Sequence, residues 1–291
     1  MKKNILIGII HYLMDSELKK CLQSLEQEIK NNNKYNFKIL IISNSKIKFK
    51  VKKKYLVINN KKNMHFSFSA NQIFEYGIKN KYEKIFLLNN DLRFLKDSLK
   101  NILKVSFDYK KPSILSPIQL NNNLKLDEKT KTLYNFNKCN IFDDLLANKT
   151  IKPYYKIKFI NAAAWLIDSR VIKKLGGMNL IFNHFGNDND YVRRAQKTGI
   201  LHAIVPSSKI IHTRIFYSNN KISNLQKKSF LISSLLLKIM IEKNLINGLL
   251  TSLGLLIYYI INFKLSIVDI FKIIRNLPKT IKYRNTIYYK V

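Results

Sequence analysis

The 291-residue chain is poor in the residues that cross-link a fold or interrupt its regular elements. It has 2 cysteines, 1 tryptophan, 5 prolines and 8 glycines. Cys21 and Cys139 show no metal-binding spacing and cannot build a disulfide framework, so we expect Cys21 in the core and a protein that faces the cytosol. The chain also lacks the glycine-rich phosphate loop with which nucleotidyltransferases usually begin, which counts against that class of enzyme.

Acidic residues are scarce as well. Aspartate and glutamate number 18 against 52 lysines and arginines, which gives a formal net charge of +34. Such a field attracts nucleic acid, anionic membranes and phosphorylated substrates. The lysines are dispersed along a chain that is rich in Asn and Ile throughout, and this compositional drift explains part of the charge. Because no zinc-finger spacing, aromatic RNA-binding motif or basic zipper is present, nucleic acid is the least favoured partner.

The first residues imitate a signal peptide without completing one. Met1-Lys2-Lys3-Asn4 precedes an apolar run at 5–10, but His11 and Asp15 interrupt the run and no small-residue cleavage site follows. We therefore interpret the run as a first strand. With 46% hydrophobic residues the chain can bury a full core.

Strand-like and helix-like segments alternate along the first half of the chain. Strands are predicted at 5–10, 37–42, 55–58 and 84–88. Helices are predicted at 16–30, at a segment ending near 78, and at 95–105. This rhythm predicts an α/β fold, with a mostly parallel sheet and helices on both faces. In such sheets ligands bind beyond the carboxyl ends of the strands, and polar residues cluster there in this chain.

Asp91 follows the strand predicted at 84–88. A carboxylate at such a strand end suits Mg²⁺ or Mn²⁺ that is held together with phosphate oxygens, although a simple turn residue fits the same position. In the second half, strands are predicted at 159–167, 203–206 and 209–212. Asp188 and Asp190 precede a helix-like run at 191–197, which makes them either helix caps or active-site carboxylates.

These motifs occur in an order that resembles the inverting family 2 glycosyltransferases, particularly the bacterial rhamnosyltransferase-like branch. The second-half motifs are Ala163-Ala164-Trp165-Leu166-Ile167, Gly176-Gly177-Met178-Asn179, Asn187-Asp188-Asn189-Asp190-Tyr191, Arg194, Gly199, Val205-Pro206 and Ile211-His212. The first-half motifs are Asn63, Phe66, Asn71 and Asn89-Asn90-Asp91. The chain departs from the usual Thr, base-reading Asp, Gly and Glu of the family at His11, Ser43, Met64-His65 and Asn187.

The resemblance implies a GT-A type nucleotide-diphospho-sugar transferase and gives roles to the matching residues. Asp188 is the expected catalytic base, and Asp91 and His212 are the expected ligands of Mn²⁺ or Mg²⁺. Acceptor contacts are expected from Asp190, Trp165 and Arg194, with a place in the core as the alternative for Trp165. Donor contacts are expected from His11, Ser43, Asn44, Asn63, Phe66, Asn71 and Asn89.

The implied reaction is transfer of a sugar from a UDP-, dTDP- or GDP-sugar to a glycan or lipid-linked glycan. The expected setting is cell-surface polysaccharide assembly at the cytoplasmic face of the membrane. The alternative is a basic membrane-binding or nucleic-acid-binding protein whose acids are purely structural.

Two domains are predicted, a GT-A domain over 1–220 and a helical segment over 221–291. The first comprises a nucleotide-binding half (1–118), a variable acceptor-facing insertion (119–158) and an acceptor and catalytic half (159–220).

The helical segment contains an uncharged run at 245–263. This run approaches the roughly 20 residues that a spanning helix needs, but it includes several polar residues. Three arrangements remain open: docking on a membrane surface, which we favour, true insertion, and packing on the catalytic domain.

Overall fold

A computed structural model of the chain describes residues 2–131, 139–182, 185–214, 220–263 and 265–291. Within these residues the strands form one mixed sheet with helices on both faces. The strands are β1 (Lys3–His11), β2 (Tyr35–Ser43), β3 (Leu56–Asn59), β4 (Lys84–Asn89), β5 (Leu92–Phe94), β6 (Ser113–Leu120), β7 (Tyr155–Lys156), β8 (Ala164–Asp168) and β9 (Leu201–His212). The helices are α1 (Asp15–Lys30), α2 (His65–Lys79), α3 (Ser98–Asp108), α4 (Glu128–Lys131), α5 (Ile141–Leu146), α6 (Ser169–Leu175), α7 (Asn187–Lys197), α8 (Asn220–Ile241), α9 (Leu245–Phe263) and α10 (Ile267–Tyr283).

The first four strands are parallel, as the alternation of strands and helices predicts. β1 pairs with β2 and β4, and β2 pairs with β3. Successive side chains of β1 point to opposite faces, so Ile7 packs in the core that includes α1 and Leu6 packs in the core that includes α2. Gly8 lets α2 approach the sheet closely, because a Cβ there would lie 2.3 Å from a side-chain carbon of Ile73.

The second half of the sheet is mixed, which corrects the prediction of a mostly parallel sheet while the α/β class is confirmed. β8 lies between β4 and β6 and is antiparallel to both, whereas β6 and β9 are parallel. The two strands predicted at 203–206 and 209–212 form the single strand β9, whose pairing with β6 shifts register at Pro117/Ile118. The strand predicted at 159–167 is shorter, because only Ala164–Asp168 pairs with neighbours.

The region predicted as a variable insertion contributes to the core. Tyr155 and Ile157 are buried in the same cluster as Trp165, and Cys139 joins them. Asp143 and Asp144 lie in the first turn of α5.

The three C-terminal helices build a core of their own. Leu235, Leu236, Met240 and Ile273 pack there around Phe182, which precedes α7. Residues 284–291 then return to the sheet domain. Of the described helices, the window Leu245–Asn262 is long and apolar enough to cross a membrane, a test of length and composition that core helices also pass.

Candidate active site

Asp91 and His212 meet at one edge of the sheet because β5 turns back along β9. Leu92 is the pairing partner of His212, so the preceding Asp91 lies beside the imidazole. Asp91 Oδ1 is 3.4 Å from His212 Nε2, and both side chains are buried. The backbone N–H and the hydroxyl of Thr213 donate to the Asp91 carbonyl oxygen at 3.1 and 2.8 Å. The structure thus brings together the two residues that were predicted to share a metal ion.

Two amide side chains fix the imidazole of His212. Gln119 Oε1 lies 3.0 Å from His212 Nδ1, and Gln119 Nε2 donates to Asn161 Oδ1 at 2.8 Å. The Ala163 backbone N–H also donates to Asn161 Oδ1, at 3.2 Å, which fixes that oxygen as an acceptor and therefore fixes the orientation of Gln119. Gln119 Oε1 accordingly accepts the Nδ1 proton, and Nε2 is the ring nitrogen that faces Asp91.

Asp91 is held as a carboxylate. Burial acts to raise its pKa, but the hydrogen bond and charge of His212, together with a backbone N–H and the charge of Arg214, oppose burial, and the net pKa is lowered. An ionised Asp91 is the form that a metal ion binds.

This donor set fits a hard divalent cation. A carboxylate oxygen and an imidazole lone pair repel each other at 3.4 Å unless a proton or a cation lies between them. Two ligands at about 2.1 Å from an octahedral ion lie about 3 Å apart, close to the distance seen. Among the described residues no group of three His, Cys, Asp or Glu side chains gathers. Phosphate oxygens and water would therefore fill the remaining positions, as is common for Mg²⁺ and Mn²⁺.

Asp188 lies in the first turn of α7, which begins four residues earlier than predicted. The N-cap position is Gly186, with φ of 84°, so Asp188 is not the N-cap. Its half-buried carboxylate accepts the Asn189 backbone N–H at 2.9 Å and a bond from the Ala162 backbone. Burial nevertheless raises the pKa of Asp188 to about 6. A carboxylate with few partners and a raised pKa has the properties of a general base.

The Asp91–His212 pair and Asp188 belong to one connected region. Asp91 contacts His212 at 3.4 Å, and hydrogen bonds lead on from His212 through Gln119 to Asn161. Asn161 immediately precedes Ala162, whose backbone N–H stabilises the Asp188 carboxylate.

Trp165, Asp190 and Arg194, for which contact with an acceptor was predicted, are all fully buried. Trp165 packs against Tyr191 in the core, with ring centroids 5.7 Å apart. Asp190 accepts from Arg193 Nη2 at 2.9 Å and from Arg194 Nε at 2.8 Å.

Arg194 is further bound by backbone oxygens. Its guanidinium donates to Leu175 O at 2.7 Å, to Gly177 O at 2.8 Å and to Ile287 O at 3.1 Å. Its carbon Cζ lies 4.6 Å from the ring centroid of Tyr289. The ion cluster therefore fastens residues 284–291 to α7.

The side chains of His11, Ser43 and Asn44, which were predicted to contact the donor, point into the protein interior at the ends of β1 and β2. His11 Nδ1 is 2.8 Å from Ser43 Oγ, and His11 Nε2 is 3.1 Å from Asp15 Oδ1. Burial lowers the pKa of His11, although the Asp15 carboxylate opposes this effect. Asn44 Nδ2 donates to Ser69 Oγ at 2.9 Å. His11, Ser43 and Asn44 are buried and order the loops that follow β1 and β2, and their contact with a donor stays a prediction.

The remaining predicted donor residues have different environments. Asn71 binds the backbone of Met178 in both directions, at 2.6 and 3.0 Å, and so joins α2 to the Gly177 turn. Phe66 packs against the core. Asn89 ends β4, and its backbone N–H donates to Ala163 O at 2.9 Å.

Asn63 lines a cavity of about 450 Å³ at the start of α2. The other lining residues are Lys62, Met64, His65, Ser67, Phe68 and Leu180. Asn183 and His184, part of the motif before α7, lie outside the described residues.

Sequence reasoning missed Gln119 and Asn161. Gln119 lies near the carboxyl end of β6, a strand that was not predicted, and it was assigned to the insertion. An amide at a strand end was the signal used for Asn89, and it applies equally to Gln119 once β6 is recognised.

Comparison with known proteins establishes the class of fold. No protein-family model and no curated protein sequence matches the chain. Solved structures do match. GalNAc-T7 with UDP, GalNAc and Mn²⁺ is 11% identical with a TM-score of 0.56, over 82% of this chain but only 48% of that protein. The mannosyltransferase PcManGT from Pyrobaculum calidifontis, in complex with GDP-Man and Mn²⁺, is 9% identical with a TM-score of 0.56, over 96% of this chain and 81% of that one.

A third similar structure is residues 1–349 of S. aureus TarS, which is 10% identical with a TM-score of 0.55. The match covers 98% of this chain and 81% of that fragment. Identities this low speak to fold alone. The chain has the GT-A fold of nucleotide-sugar glycosyltransferases.

Proposed function

We propose that this protein is a metal-dependent glycosyltransferase that uses a nucleotide-diphospho-sugar donor. The observation that carries the proposal is the connected region at the carboxyl edge of a GT-A sheet, where the Asp91–His212 pair is linked through Gln119 and Asn161 to the segment that contacts Asp188. Such sheets bind ligands at this edge. Two of the similar solved structures contain a nucleotide or nucleotide sugar together with Mn²⁺.

Asp91 and His212 would hold the cation. A bound Mn²⁺ or Mg²⁺ supplies positive charge that neutralises the diphosphate leaving group. Gln119 accepts the Nδ1 proton of His212 and so orients the ring with Nε2 toward Asp91, where this nitrogen would serve as a ligand once its proton has left. We place the donor nucleotide next to two features. One is the pair of loops after β1 and β2, which His11, Ser43 and Asn44 order. The other is the cavity at the start of α2, which Asn63 lines.

Asp188 is proposed as the base. Its carboxylate takes the proton of an acceptor hydroxyl while the hydroxyl oxygen forms a bond to the anomeric carbon of the donor sugar. The bond from that carbon to the diphosphate oxygen breaks, and the electron pair leaves with the nucleoside diphosphate. Attack from the face opposite the leaving group inverts the anomeric centre, as in the inverting family 2 enzymes that the sequence motifs resemble.

The finer assignment follows the same motifs. We propose a hexosyl or deoxyhexosyl transferase of the rhamnosyltransferase-like branch, from a bacterium, that acts on a glycan or lipid-linked glycan in cell-surface polysaccharide assembly at the cytoplasmic face of the membrane. The donor is a UDP-, dTDP- or GDP-sugar.

The deciding experiment is calorimetry of UDP, dTDP and GDP binding to the full chain, with and without Mn²⁺. We expect one nucleotide to bind in a cation-dependent manner, and Asp91→Asn to abolish the cation dependence. Asp108→Asn, which changes an exposed acid at the end of α3, should bind like the wild type. Absence of cation-dependent binding by all three nucleotides would overturn the proposal and favour a basic binding protein with structural acids.

A further inference from the structure

Helix α9 exposes large apolar side chains along one face. Ile246, Leu250, Leu253, Ile257 and Ile261 are between 52% and 70% exposed. They recur three or four residues apart, which places them in one line along the helix. Contiguous exposed apolar surface of this kind is unusual for a soluble monomer and marks an interaction surface.

The opposite face of α9 is fixed to α8. Ser252 Oγ donates to Leu235 O at 2.9 Å, and Tyr259 Oη lies 3.1 Å from Ser234 Oγ. Gly248 allows close contact of the two helices, because a Cβ there would lie 3.0 Å from Ile239 Cα. The exposed apolar line is thus a separate face from the one that α8 covers.

A third face of α9 is polar. It carries exposed side chains four and seven residues apart, namely Asn247, Thr251, Tyr258 and Asn262. The unpacked surface of α9 is therefore divided into an apolar line and a polar line. A spanning helix meets hydrocarbon on every unpacked side and does not require this division, whereas a helix that lies in a membrane interface does.

Helix α10 also has an exposed apolar line beside a polar line, and its polar line is positively charged. Ile267, Phe271, Ile274 and Ile281 form an exposed apolar line, and Asp269, Ile273 and Thr280 are buried on the other side. An exposed basic line runs beside the apolar line at similar spacing, formed by Lys272, Arg275, Lys279 and Lys282. Over 221–291 basic residues outnumber acidic ones by twelve to two.

We propose that α9 and α10 dock on an anionic lipid bilayer, with both helices lying in the interface and their apolar lines turned toward the acyl chains. The basic line of α10 then faces lipid headgroups, whose negative charge it complements. Interfacial helices combine an apolar face with a basic polar face in this way. This surface does not depend on the proposed transferase activity, because docking needs neither donor nor metal.

Vesicle flotation of the full chain tests the proposal without any substrate. We expect binding to vesicles of phosphatidylcholine with phosphatidylglycerol, and weak binding to phosphatidylcholine alone. The double variant Ile257→Glu/Phe271→Glu should lower the partition coefficient at least about tenfold. Leu146→Glu is the matched control, since Leu146 is 70% exposed on α5, and it should bind like the wild type. The double variant and the control change exposed positions, so the thermal unfolding temperature of each should equal that of the wild type.

A charge reversal gives an independent measurement. Lys279→Glu should lower the partition coefficient about fivefold or more, because each basic residue near an anionic surface contributes to binding. Lys104→Glu, an exposed position on α3, should have a much smaller effect. A wash with alkaline carbonate should release the bound protein.

Three results would overturn the proposal. Unchanged vesicle binding of the Ile257→Glu/Phe271→Glu variant would show that α9 and α10 do not form the membrane-binding surface. Retention after the carbonate wash would mean that α9 spans the bilayer. Self-association that the double variant abolishes, without binding to either kind of vesicle, would mean that a second copy of the chain covers the apolar lines.

Discussion

Asp188 and Asp190 are two residues apart on α7 but occupy opposite environments. Asp188 is half-buried, and among the described residues its carboxylate is stabilised by the backbone N–H groups of Asn189, Ala162 and Asp188 itself. Asp190 is fully buried and is paired with Arg193 and Arg194. One carboxylate is poorly satisfied and retains its affinity for a proton. The Asp190 carboxylate has both oxygens bound by arginines and serves the structure.

The difference teaches which charged groups are available for chemistry. A buried carboxylate with two guanidinium partners, such as Asp190, has both oxygens occupied within the fold. A carboxylate that is desolvated without a cationic partner has a raised pKa and can act as a base. The number and charge of the partners, more than burial itself, separate the two roles.

The largest expected effect is on catalysis at Asp188. Asp188→Asn should lower the transfer rate about 10²- to 10⁴-fold, because the amide cannot take the acceptor proton. The nucleotide affinity should be nearly unchanged. Steady-state transfer assays and calorimetry on the same preparation measure both quantities, and wild-type transfer by the variant would remove Asp188 from the mechanism.

The next largest effect concerns stability at Asp190. Asp190→Asn leaves two arginines without their carboxylate in a buried place, which should cost about 3–5 kcal/mol of unfolding free energy. Urea unfolding checks the value. Asp143→Asn on α5 is the matched control, because Asp143 is exposed, and its midpoint should not change. A small loss at Asp190 would show that the ion cluster is dispensable for the fold.

Features of the structure that depend on contacts between residues close in sequence could be predicted, whereas features that depend on distant contacts could not. Alternating and continuous apolar runs predicted β1, β2 and β4, and the strand-end position of Asp91 was evident from the run before it. The burial of Arg194 was not predictable, because its partners Leu175 and Ile287 lie 19 and 93 residues away along the chain. In the sequence alone an arginine in the last turns of a helix has the appearance of a surface residue.

Short and irregular elements were the other source of error. β5 has three residues and no periodicity of its own, yet it places Asp91 beside His212. The strand β6 was not predicted, and its last residues, Gln119 and Leu120, were assigned to the insertion. A chemical site is therefore predictable one residue at a time, whereas the side chains that orient it depend on pairings across the sheet.

A smaller effect is expected at Gln119, which orients His212. Gln119→Leu should weaken Mn²⁺ binding in the presence of the cognate nucleoside diphosphate about 10- to 100-fold, as loss of a supporting hydrogen bond does in other metal sites. Gln119→Glu retains an acceptor for His212 Nδ1 and should retain more of the affinity. Gln23→Leu, at an exposed position on α1, is the control. Equal Mn²⁺ affinity in all four proteins would mean that Gln119 does not position the ligand.

The pH dependence tests the comparison most finely, because the raised pKa of Asp188 affects stability and activity in opposite directions. Native Asp188 titrates at about 6 rather than at the usual 3.8, so the folded protein binds this proton more tightly than the unfolded chain does. Stability from this group therefore falls as pH rises from about 4 to about 6, and the fall should be missing in Asp188→Asn. The variant should gain stability relative to the wild type across that window when unfolding midpoints are measured at each pH.

Transfer by the wild type should rise about tenfold per pH unit up to about 6 and then level off, because only the ionised carboxylate accepts the proton. If the stability curves of the two proteins were parallel, Asp188 would be as well satisfied as Asp190, and the distinction between the two acids would fail.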